Sequence, residues 1–233
     1  MSLLDNLIGL IAPPDCAGCG SEGAALCTTC RIHCIKPYVM SCFWCNAVTV
    51  DSRFCAKCRK RSQLTGAYAV ADYSMAVKQL LHDYKYHHFR GAAPDVARLL
   101  VEGSSTFRQL IFGKYFIVPV PSTTKRVRER GFDHSLIVAR EFSRQVGGIL
   151  VPALKRSGAS HQVGASRSVR LAQLNYKMYV PGRYSQRLTH AAVLLIDDIV
   201  TTGASLEESA RALKQAGVKH VFGLVLAKKN LGG

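Results

Sequence analysis

The stretch AAVLLIDDIVTTGAS, residues 191–205, restricts the fold of this chain more than any other part of its sequence. Its apolar run and a second one at 221–226 carry apolar residues on successive positions. Only a strand covered on both faces needs that pattern, and sheets covered on both faces are typically the parallel sheets of α/β proteins. Because such sheets bind ligands beyond the carboxyl ends of their strands, we predict an α/β fold with Asp197 and Asp198 at a ligand-binding edge.

The C-terminal two thirds of the chain alternate strands and helices, as an α/β fold requires. The apolar and amphipathic patterns predict strands at 64–74, 114–121, 148–156, 191–196 and 220–228, and helices at 75–89, 93–103, 133–147 and 206–216. Pro94 suits the start of a helix, and Gly147 and Gly217 suit helix ends. This order predicts one parallel sheet with helices on both faces.

The two aspartates need partners, because adjacent carboxylates repel each other and are costly to bury alone. Cations, sugar hydroxyls or water would serve. A loop of small and hydroxylated residues follows them and leads into a helix, an arrangement that suits a phosphate at the helix N-terminus. Its residues are Thr201, Thr202, Gly203, Ala204 and Ser205. A capping box of Ser205 and Glu208 is the alternative, but it leaves the carboxylates and threonines unexplained.

The segment VLLIDDIVTTGAS resembles the phosphoribosyl pyrophosphate (PRPP) signature of type I phosphoribosyltransferases. The resemblance implies a Rossmann-like parallel sheet with a flexible loop or hood. It also implies that Asp197 and Asp198 are the catalytic residues that hold the ribose hydroxyls, and that residues 201–205 hold the 5′-phosphate. Carboxylates there could stabilise oxocarbenium character, while Mg²⁺ neutralises the diphosphate.

Two further segments narrow the resemblance to the ComF family. They are VPVPSTTKRVRERGFDHS at 118–135 and LLHDYKYHHFRGAAPDVARLL at 80–100, and eight paired cysteines precede them. The resemblance places a pyrophosphate loop at Ser122, Thr123, Thr124 and Lys125. It implies a role in natural competence, with internalised single-stranded DNA and competence-machinery proteins at the inner membrane as partners. The polar stretch 155–178 would then be the loop over the substrate.

All nine cysteines lie between residues 16 and 58. Eight form four C-x-x-C pairs: Cys16 and Cys19, Cys27 and Cys30, Cys42 and Cys45, Cys55 and Cys58. Two such pairs complete the four-sulfur shell of a structural zinc, so the sequence predicts one or two zinc ions. The spacing leaves sequential and cross-braced pairing open, and a redox or disulfide array and an iron–sulfur cluster are alternatives. Cys34 is predicted to be a partly buried free thiol.

We therefore predict two domains, a cysteine-rich zinc-binding module at 1–63 and a phosphoribosyltransferase-like domain at 64–233. A module this short has little core of its own, so its folding should depend on metal. Phe43, Trp44 and Phe54 either form its miniature core or face a partner, and we favour the core.

The net charge of +16 predicts polyanionic partners, and residues 122–183 contribute 12 basic and 3 acidic side chains. Candidate contacts to single-stranded DNA are Arg126, Arg128, Arg130, Arg156, Arg167 and Arg170. Bases could also stack on Tyr176, Tyr179 and Tyr184. The alternative, which we favour, is a short strand whose alternating side chains pack on the core.

The composition and the absence of a basic leader or a long apolar stretch lead us to expect a folded cytoplasmic protein without a transmembrane segment. Three functions remain open. The first is a ComF-like protein that binds PRPP with Mg²⁺ and handles single-stranded DNA. The second is an active phosphoribosyltransferase with an unidentified acceptor, and the third is a PRPP-sensing regulator.

Overall fold

The computed structural model describes residues 13–37, 39–49, 54–86, 90–109, 114–157 and 177–229. Its strands are β1 (Gly66–Asp72), β2 (Tyr115–Pro119), β3 (Ile149–Leu150), β4 (Lys155–Arg156), β5 (Met178–Tyr179), β6 (Ala192–Val200) and β7 (His220–Lys228). Its helices are α1 (Thr28–Cys34), α2 (Ala56–Arg59), α3 (Met75–Tyr86), α4 (Ala93–Gly103), α5 (Ser105–Gln109), α6 (Thr124–Arg130), α7 (His134–Val146), α8 (Gly182–Leu188) and α9 (Ala204–Gln215). A short 3-10 turn, Arg90–Ala92, precedes α4.

Five strands form one parallel sheet in the order β1-β7-β6-β2-β3. The central strand β6 pairs with β7 from Ala192 opposite His220 to Val200 opposite Lys228. Strands β4 and β5 form a separate antiparallel pair. The predicted parallel α/β architecture is thus confirmed, and the carboxyl ends of β2, β6 and β7 meet at one edge.

Each face of the sheet is covered, as the continuous apolar runs require. Because successive side chains of a strand point to opposite faces, Leu194 and Ile196 join one buried cluster and Val193 and Leu195 join the other. The first cluster is shared with α3, α4 and α7, and the second with α8 and α9. We call these two sides the α4 face and the α9 face.

The structure departs from the predicted elements at the ligand-binding edge. Strand β6 was predicted to end at residue 196, but it continues through both aspartates to Val200, because β7 offers paired backbone as far as Lys228. Helix α6 was not predicted, although Thr123 caps its start by accepting a hydrogen bond from Arg126 N and Gly131 ends it in the left-handed region. Helices α5 and α8 were also missed.

The cysteine-rich region lies against both faces of the sheet. Cys16, Ala25 and Leu26 are buried in the cluster of the α4 face. Cys42, Phe43 and Phe54 are instead buried in the cluster of the α9 face. The region therefore shares its core with the sheet. Among the residues that the structure describes, no helix has the length and apolar character needed to cross a membrane.

Candidate functional site

Asp197 and Asp198 lie near the carboxyl end of β6, the strand that pairs with β2 on one side and β7 on the other. Strand alternation turns Asp198 toward the α4 face with Leu194 and Ile196, and turns Asp197 the other way. A cleft of about 400 Å³ opens beside them. Among its lining residues are Tyr73, Lys85, Ser122, Thr123, Arg126, His134, Arg156, Asp197, Asp198, Thr201, Thr202, Gly203, Ala204, Ser205 and Lys229.

Asp198 is held by two side chains that the sequence did not assign to the site. Lys85 Nζ from α3 forms an ion pair with its Oδ2, and His134 Nε2 from α7 lies 3.0 Å from the same oxygen. The side chain of Lys85 is 16% exposed, that of His134 is 6% exposed and that of Asp198 is 11% exposed. Burial alone would raise the pKa of Asp198, but Lys85 and His134 outweigh it and hold that pKa far below its usual range.

The imidazole of His134 has a fixed orientation. Its Nδ1 lies 3.1 Å from a guanidinium nitrogen of Arg130 and 3.1 Å from Ser122 Oγ. Since a guanidinium can only donate, Nδ1 accepts from Arg130, and the proton of the neutral ring is on Nε2, the nitrogen that faces Asp198. The buried hydroxyl of Tyr84 donates to the carbonyl of His134 over 2.8 Å. These contacts make His134 a rigid support for the carboxylate.

Asp197 has the opposite electrostatic character. Burial raises the pKa of Asp197 to about 8, and the negative charge of Asp198 adds to that rise. Near neutral pH the pair therefore consists of one ionised carboxylate and one carboxyl that keeps its proton. A ligand that brings hydroxyl groups or a cation to this edge would find one strong acceptor and one group that can donate or accept.

The loop after β6 turns sharply at Gly203 into helix α9. Gly203 takes the left-handed conformation with φ 79°, and helix α9 begins at the next residue without a side-chain cap. Thr201, Thr202, Ala204 and Ser205 are exposed in the loop and the first turn of the helix. The alternative of a capping box is wrong, because Glu208 bonds to Arg211 and accepts from Met178 N instead. The N-cap residue Gly203 thus offers no side-chain acceptor to the first N–H groups of α9, although Ala204 N donates to Thr202 Oγ1 over 3.4 Å.

The opposite wall of the cleft differs from the predicted pyrophosphate loop. Ser122, Thr123 and Arg126 line the cleft. Thr124 and Lys125 were also predicted to belong to the pyrophosphate loop, but they lie in helix α6. There Lys125 Nζ pairs with Glu129 over 3.8 Å on the helix surface. The Ser122 hydroxyl donates a hydrogen bond to Asp133 Oδ1 over 2.9 Å, which fixes its position.

The six arginines predicted to contact DNA occupy different environments. Arg126 and Arg156 line the cleft, where Arg156 donates to the carbonyl of Pro121 over 2.9 Å and to Ser205 Oγ over 3.2 Å. Arg128 is exposed on α6. Arg130 was predicted on a binding surface, but it is 6% exposed beneath the site beside His134. Arg167 and Arg170 lie outside the described residues, as do Tyr176 and most of the predicted loop at 155–178.

The other predicted stacking residues lie beyond the cleft. Tyr179 is 49% exposed in the two-residue strand β5. Tyr184 lies in α8, under the guanidinium of Arg183 at 4.9 Å from its ring centre. The predicted short strand therefore includes Tyr179, although its side chain is exposed and not packed on the core. Tyr184 packs against the cluster of the α9 face, but from a helix.

The cysteines form two four-sulfur groups with sequential pairing. The first group is Cys16, Cys19, Cys27 and Cys30, and the second is Cys42, Cys45, Cys55 and Cys58, with all Sγ atoms of a group within 4.8 Å. Distances of 3.8 Å (Cys19 to Cys27) and 3.6 Å (Cys45 to Cys55) match the roughly 3.8 Å between sulfurs around a tetrahedral zinc. The residues present therefore fit a zinc ion in each group. Cys34 belongs to neither group and is partly buried.

Backbone N–H groups prepare one thiol of each group for metal. Burial raises the pKa of Cys16, but hydrogen bonds from backbone N–H groups outweigh it and lower that pKa to about 6. The same balance lowers the pKa of Cys42 to about 7. Such N–H donors support thiolate ligands in zinc sites.

Residues 133–232 match the family model described as "Phosphoribosyl transferase domain". "Competence protein ComFC" of Bacillus subtilis (strain 168) is 30% identical to this chain over 150 residues, which cover 64% of this chain and 58% of that protein. The chain thus spans somewhat more than half of that relative. "DNA utilization protein YhgH" of Escherichia coli (strain K12) is 25% identical over 223 residues, which cover 84% of this chain and 93% of that protein.

Solved phosphoribosyltransferase-type structures also align with this chain, among them the following two. The glutamine PRPP amidotransferase of B. subtilis aligns with a TM-score of 0.41 and 14% identity, over 59% of this chain and 26% of that one. An adenine phosphoribosyltransferase aligns with a TM-score of 0.39 and 12% identity, over 64% of this chain and 75% of that one.

Proposed function

We propose, from the similarity of this chain to ComF-type relatives and its match to a phosphoribosyl transferase domain, that it binds PRPP with Mg²⁺ in the cleft at the end of β6. We further propose that it acts in competence-related DNA utilisation by handling single-stranded DNA. The names of the relatives support a role in DNA utilisation, and the matched domain supports PRPP as the ligand. One observation carries the proposal: the two aspartates and an uncapped, glycine-centred helix start share one cleft with basic side chains.

The ribose would lie over the end of β6. Its hydroxyls would bond to Asp197 and Asp198, of which Asp198 is already oriented by Lys85 and His134. The 5′-phosphate would lie at the start of α9, where backbone N–H groups and the helix dipole favour an anion. Thr201, Thr202 and Ser205 would add hydroxyl donors to the same phosphate.

The diphosphate would face the wall formed by the start of α6 and by β4. Ser122 and Thr123 would offer hydroxyls there, and Arg126 and Arg156 would offer charge. Mg²⁺ takes oxygen ligands and commonly reaches a protein through substrate phosphates, so this site fits an ion carried largely by the diphosphate. When bound, the ion would neutralise the diphosphate.

Calorimetric titration of PRPP and Mg²⁺ tests the ligand. Binding in the micromolar range, about −8 kcal/mol, is expected for the wild type, and no detectable binding is expected for Asp197→Asn/Asp198→Asn. Asp72→Asn is the matched control, because Asp72 is an exposed carboxylate at the end of β1 in the same sheet and does not line the cleft. A double variant that binds as tightly as the control would refute the ribose assignment.

The proposal for DNA rests on the basic surface around the cleft. Arg126 and Arg128 on α6 are exposed, and so are Lys177, Arg183 and Arg187 near β5 and α8. Neutralising phosphates with such side chains releases counterions and makes binding depend steeply on salt. Arg126 lines the cleft and Arg128 lies on the same helix, so α6 could contact both PRPP and a DNA strand.

Charge reversal tests the DNA surface. Arg126→Glu/Arg128→Glu should weaken binding to a single-stranded oligonucleotide and reduce the slope of log affinity against log salt by roughly 1 to 2. Lys57→Glu/Lys60→Glu changes the same number of exposed charges on the cysteine-rich region and should leave the slope closer to that of the wild type. Equal slopes in the two variants would exclude α6 from the DNA surface.

A further inference from the structure

Trp44 lies between two ligands of the second cysteine group and reaches the phosphate loop. A Cβ atom built on Gly203 would lie 2.1 Å from Cη2 of the Trp44 ring and 2.7 Å from its Cζ3. No side chain fits in that space, so the ring packs directly on the backbone of Gly203. Phe43 meets Trp44 edge-on at 4.9 Å and Phe54 lies 6.0 Å away, and both are buried. The ring is thereby held against the loop.

Two other contacts join the same region to the loop's surroundings. Glu207, in the first turn of α9, accepts hydrogen bonds from Ser62 Oγ and, over 2.8 Å, from Gln63 N. These residues follow Cys58 closely in the chain. Lys228, at the end of β7, donates to the carbonyl of Phe43 and lies 4.9 Å and 5.9 Å from the ring centres of Phe43 and Trp44.

The turn that carries Trp44 depends on the cysteines. Cys42 N donates to the carbonyl of Ala47 over 2.7 Å, Asn46 N donates to the carbonyl of Cys42 over 2.8 Å, and Asn46 has a positive φ of 59°. Cys42 and Cys45 bracket the ring and share one four-sulfur group with Cys55 and Cys58. A metal ion in that group would therefore fix the direction of the Trp44 side chain.

The loop has few supports of its own. Residues Thr201, Thr202, Ala204 and Ser205 are exposed, and α9 begins without a side-chain cap. Ala204 N donates to Thr202 Oγ1 over a long 3.4 Å, and Arg156 reaches Ser205 from the opposite wall. A loop of this kind gains affinity when its conformation is fixed before the ligand arrives.

We propose that Trp44 is a positioning residue for the phosphate loop, so that metal in the second cysteine group sets the affinity of residues 201–205 for a 5′-phosphate. The ligand named here rests on the proposed function. The first cysteine group does not position the loop at 201–205, because its described contacts lie on the α4 face. There Ala25 N donates to Asp95 over 3.0 Å, and Arg31 Nε pairs with Glu102 over 2.8 Å.

Calorimetry on full-length variants gives the first test. Trp44→Ala should weaken the binding of PRPP with Mg²⁺ by about tenfold, while Trp44→Phe should lose less and both variants keep their zinc content. Tyr68→Ala is the control, since it removes another partly buried aromatic residue on the sheet that does not line the cleft. Unchanged affinity in Trp44→Ala with full zinc content would overturn the proposal.

The single tryptophan of the chain supplies a second readout. Ribose 5-phosphate or PRPP added to the wild type should change the fluorescence of Trp44. Removing the metal of the second group by Cys55→Ser/Cys58→Ser should shift the emission to the red, whereas Cys27→Ser/Cys30→Ser should not. An equal red shift in both variants would contradict the assignment to the second group.

Hydrogen exchange separates this proposal from the proposed function. If wild-type protein fails to bind PRPP in calorimetry, the ligand is wrong, but the coupling between Trp44 and the loop can still be measured without it. Trp44→Ala should then speed amide exchange at residues 201–206 relative to Tyr68→Ala. Equal exchange in the two variants would refute the coupling itself.

Discussion

The two cysteine groups have the same donors and the same C-x-x-C spacing, yet they lie on opposite faces of the sheet. The first group contacts α3 and α4 through Leu26, Arg31 and the chain around Gly18. The second group contacts β7 and α9 through Trp44 and the segment after Cys58. One group therefore fastens the chain to a helical layer, and the other fastens it to the ligand-binding edge.

The difference arises from the residues between the paired cysteines. Ala17 and Gly18 are small, and a Cβ on Gly18 would lie 2.7 Å from Cys30 Sγ, so the first turn closes tightly beside Ala76 of α3. Phe43 and Trp44 occupy the same places in the second group and extend outward to the sheet. Identical metal chemistry can thus serve two structural purposes when the residues inside the knuckle differ in size.

Removing the metal from either group should have the largest effect on this comparison. Cys27→Ser/Cys30→Ser and Cys55→Ser/Cys58→Ser should each lower the zinc content from two equivalents to one, since the pairing is sequential. Each should also lower the free energy of unfolding by several kcal/mol, because the binding energy of a structural zinc is also folding energy. Metal analysis and denaturant titration measure both effects. Loss of both ions in one variant would contradict independent groups.

The attachment of the first group can be weakened without touching its thiols. Arg31 is 7% exposed and Glu102 37% exposed, so Glu102→Gln leaves a buried guanidinium without its charged partner. We expect a loss of about 2 kcal/mol in the free energy of unfolding, with PRPP affinity unchanged. Glu129→Gln, whose pair with Lys125 is exposed, should lose less than about 0.5 kcal/mol. Equal losses would show that the buried pair does not fasten α1 to α4.

A pH series isolates the ligand-binding edge from both cysteine groups and should give the smallest effect. Burial raises the pKa of Asp197 from 3.8 to about 8, so between these values the folded protein holds a proton that the unfolded chain releases. Stability from this group is therefore complete below pH 4 and is lost as the pH rises toward 8. Between pH 7 and 8 we expect this contribution to fall by about 1 kcal/mol.

Denaturant titration across that range checks the sign. The contribution of Asp197 is the difference between the wild type and Asp197→Asn, because thiolates released from zinc take up protons on unfolding and add a pH dependence of their own. That difference should be the same in both cysteine double variants, because the charged groups that shift the pKa of Asp197 lie outside the cysteine-rich region; they are Asp198, Lys85 and Arg156. A difference that disappears in a cysteine variant would place its origin elsewhere.

Much of this architecture was predictable because the signals are local. The apolar runs predicted the central strands, the pattern of small residues predicted the loop at 201–205, and the C-x-x-C spacing predicted four-sulfur groups. The spacing could not choose between sequential and crossed pairing, since either completes a tetrahedral shell. Helix α6 did have local signals, namely the cap at Thr123 and the left-handed Gly131. It was not predicted because the family resemblance assigned residues 122–125 to a pyrophosphate loop.

The remaining features arise from contacts between distant parts of the chain. Lys85 and His134 reach Asp198 from α3 and α7, and no pattern near the aspartates indicates them. The same two residues explain why β6 continues through its carboxylates, because they offset the burial of Asp198. Trp44 likewise meets Gly203 only after the second cysteine group has docked on the α9 face.

Sequential pairing also gives the chain a temporal order of assembly. Each four-sulfur group closes within a short stretch near the N-terminus, so during synthesis it can form as soon as its own residues have emerged. The sheet must wait, because β1 and β2 pair with β7 and β6, which are made last. Contacts of such long sequence separation form slowly. We therefore expect the two four-sulfur groups to close before the strands of the sheet pair with one another.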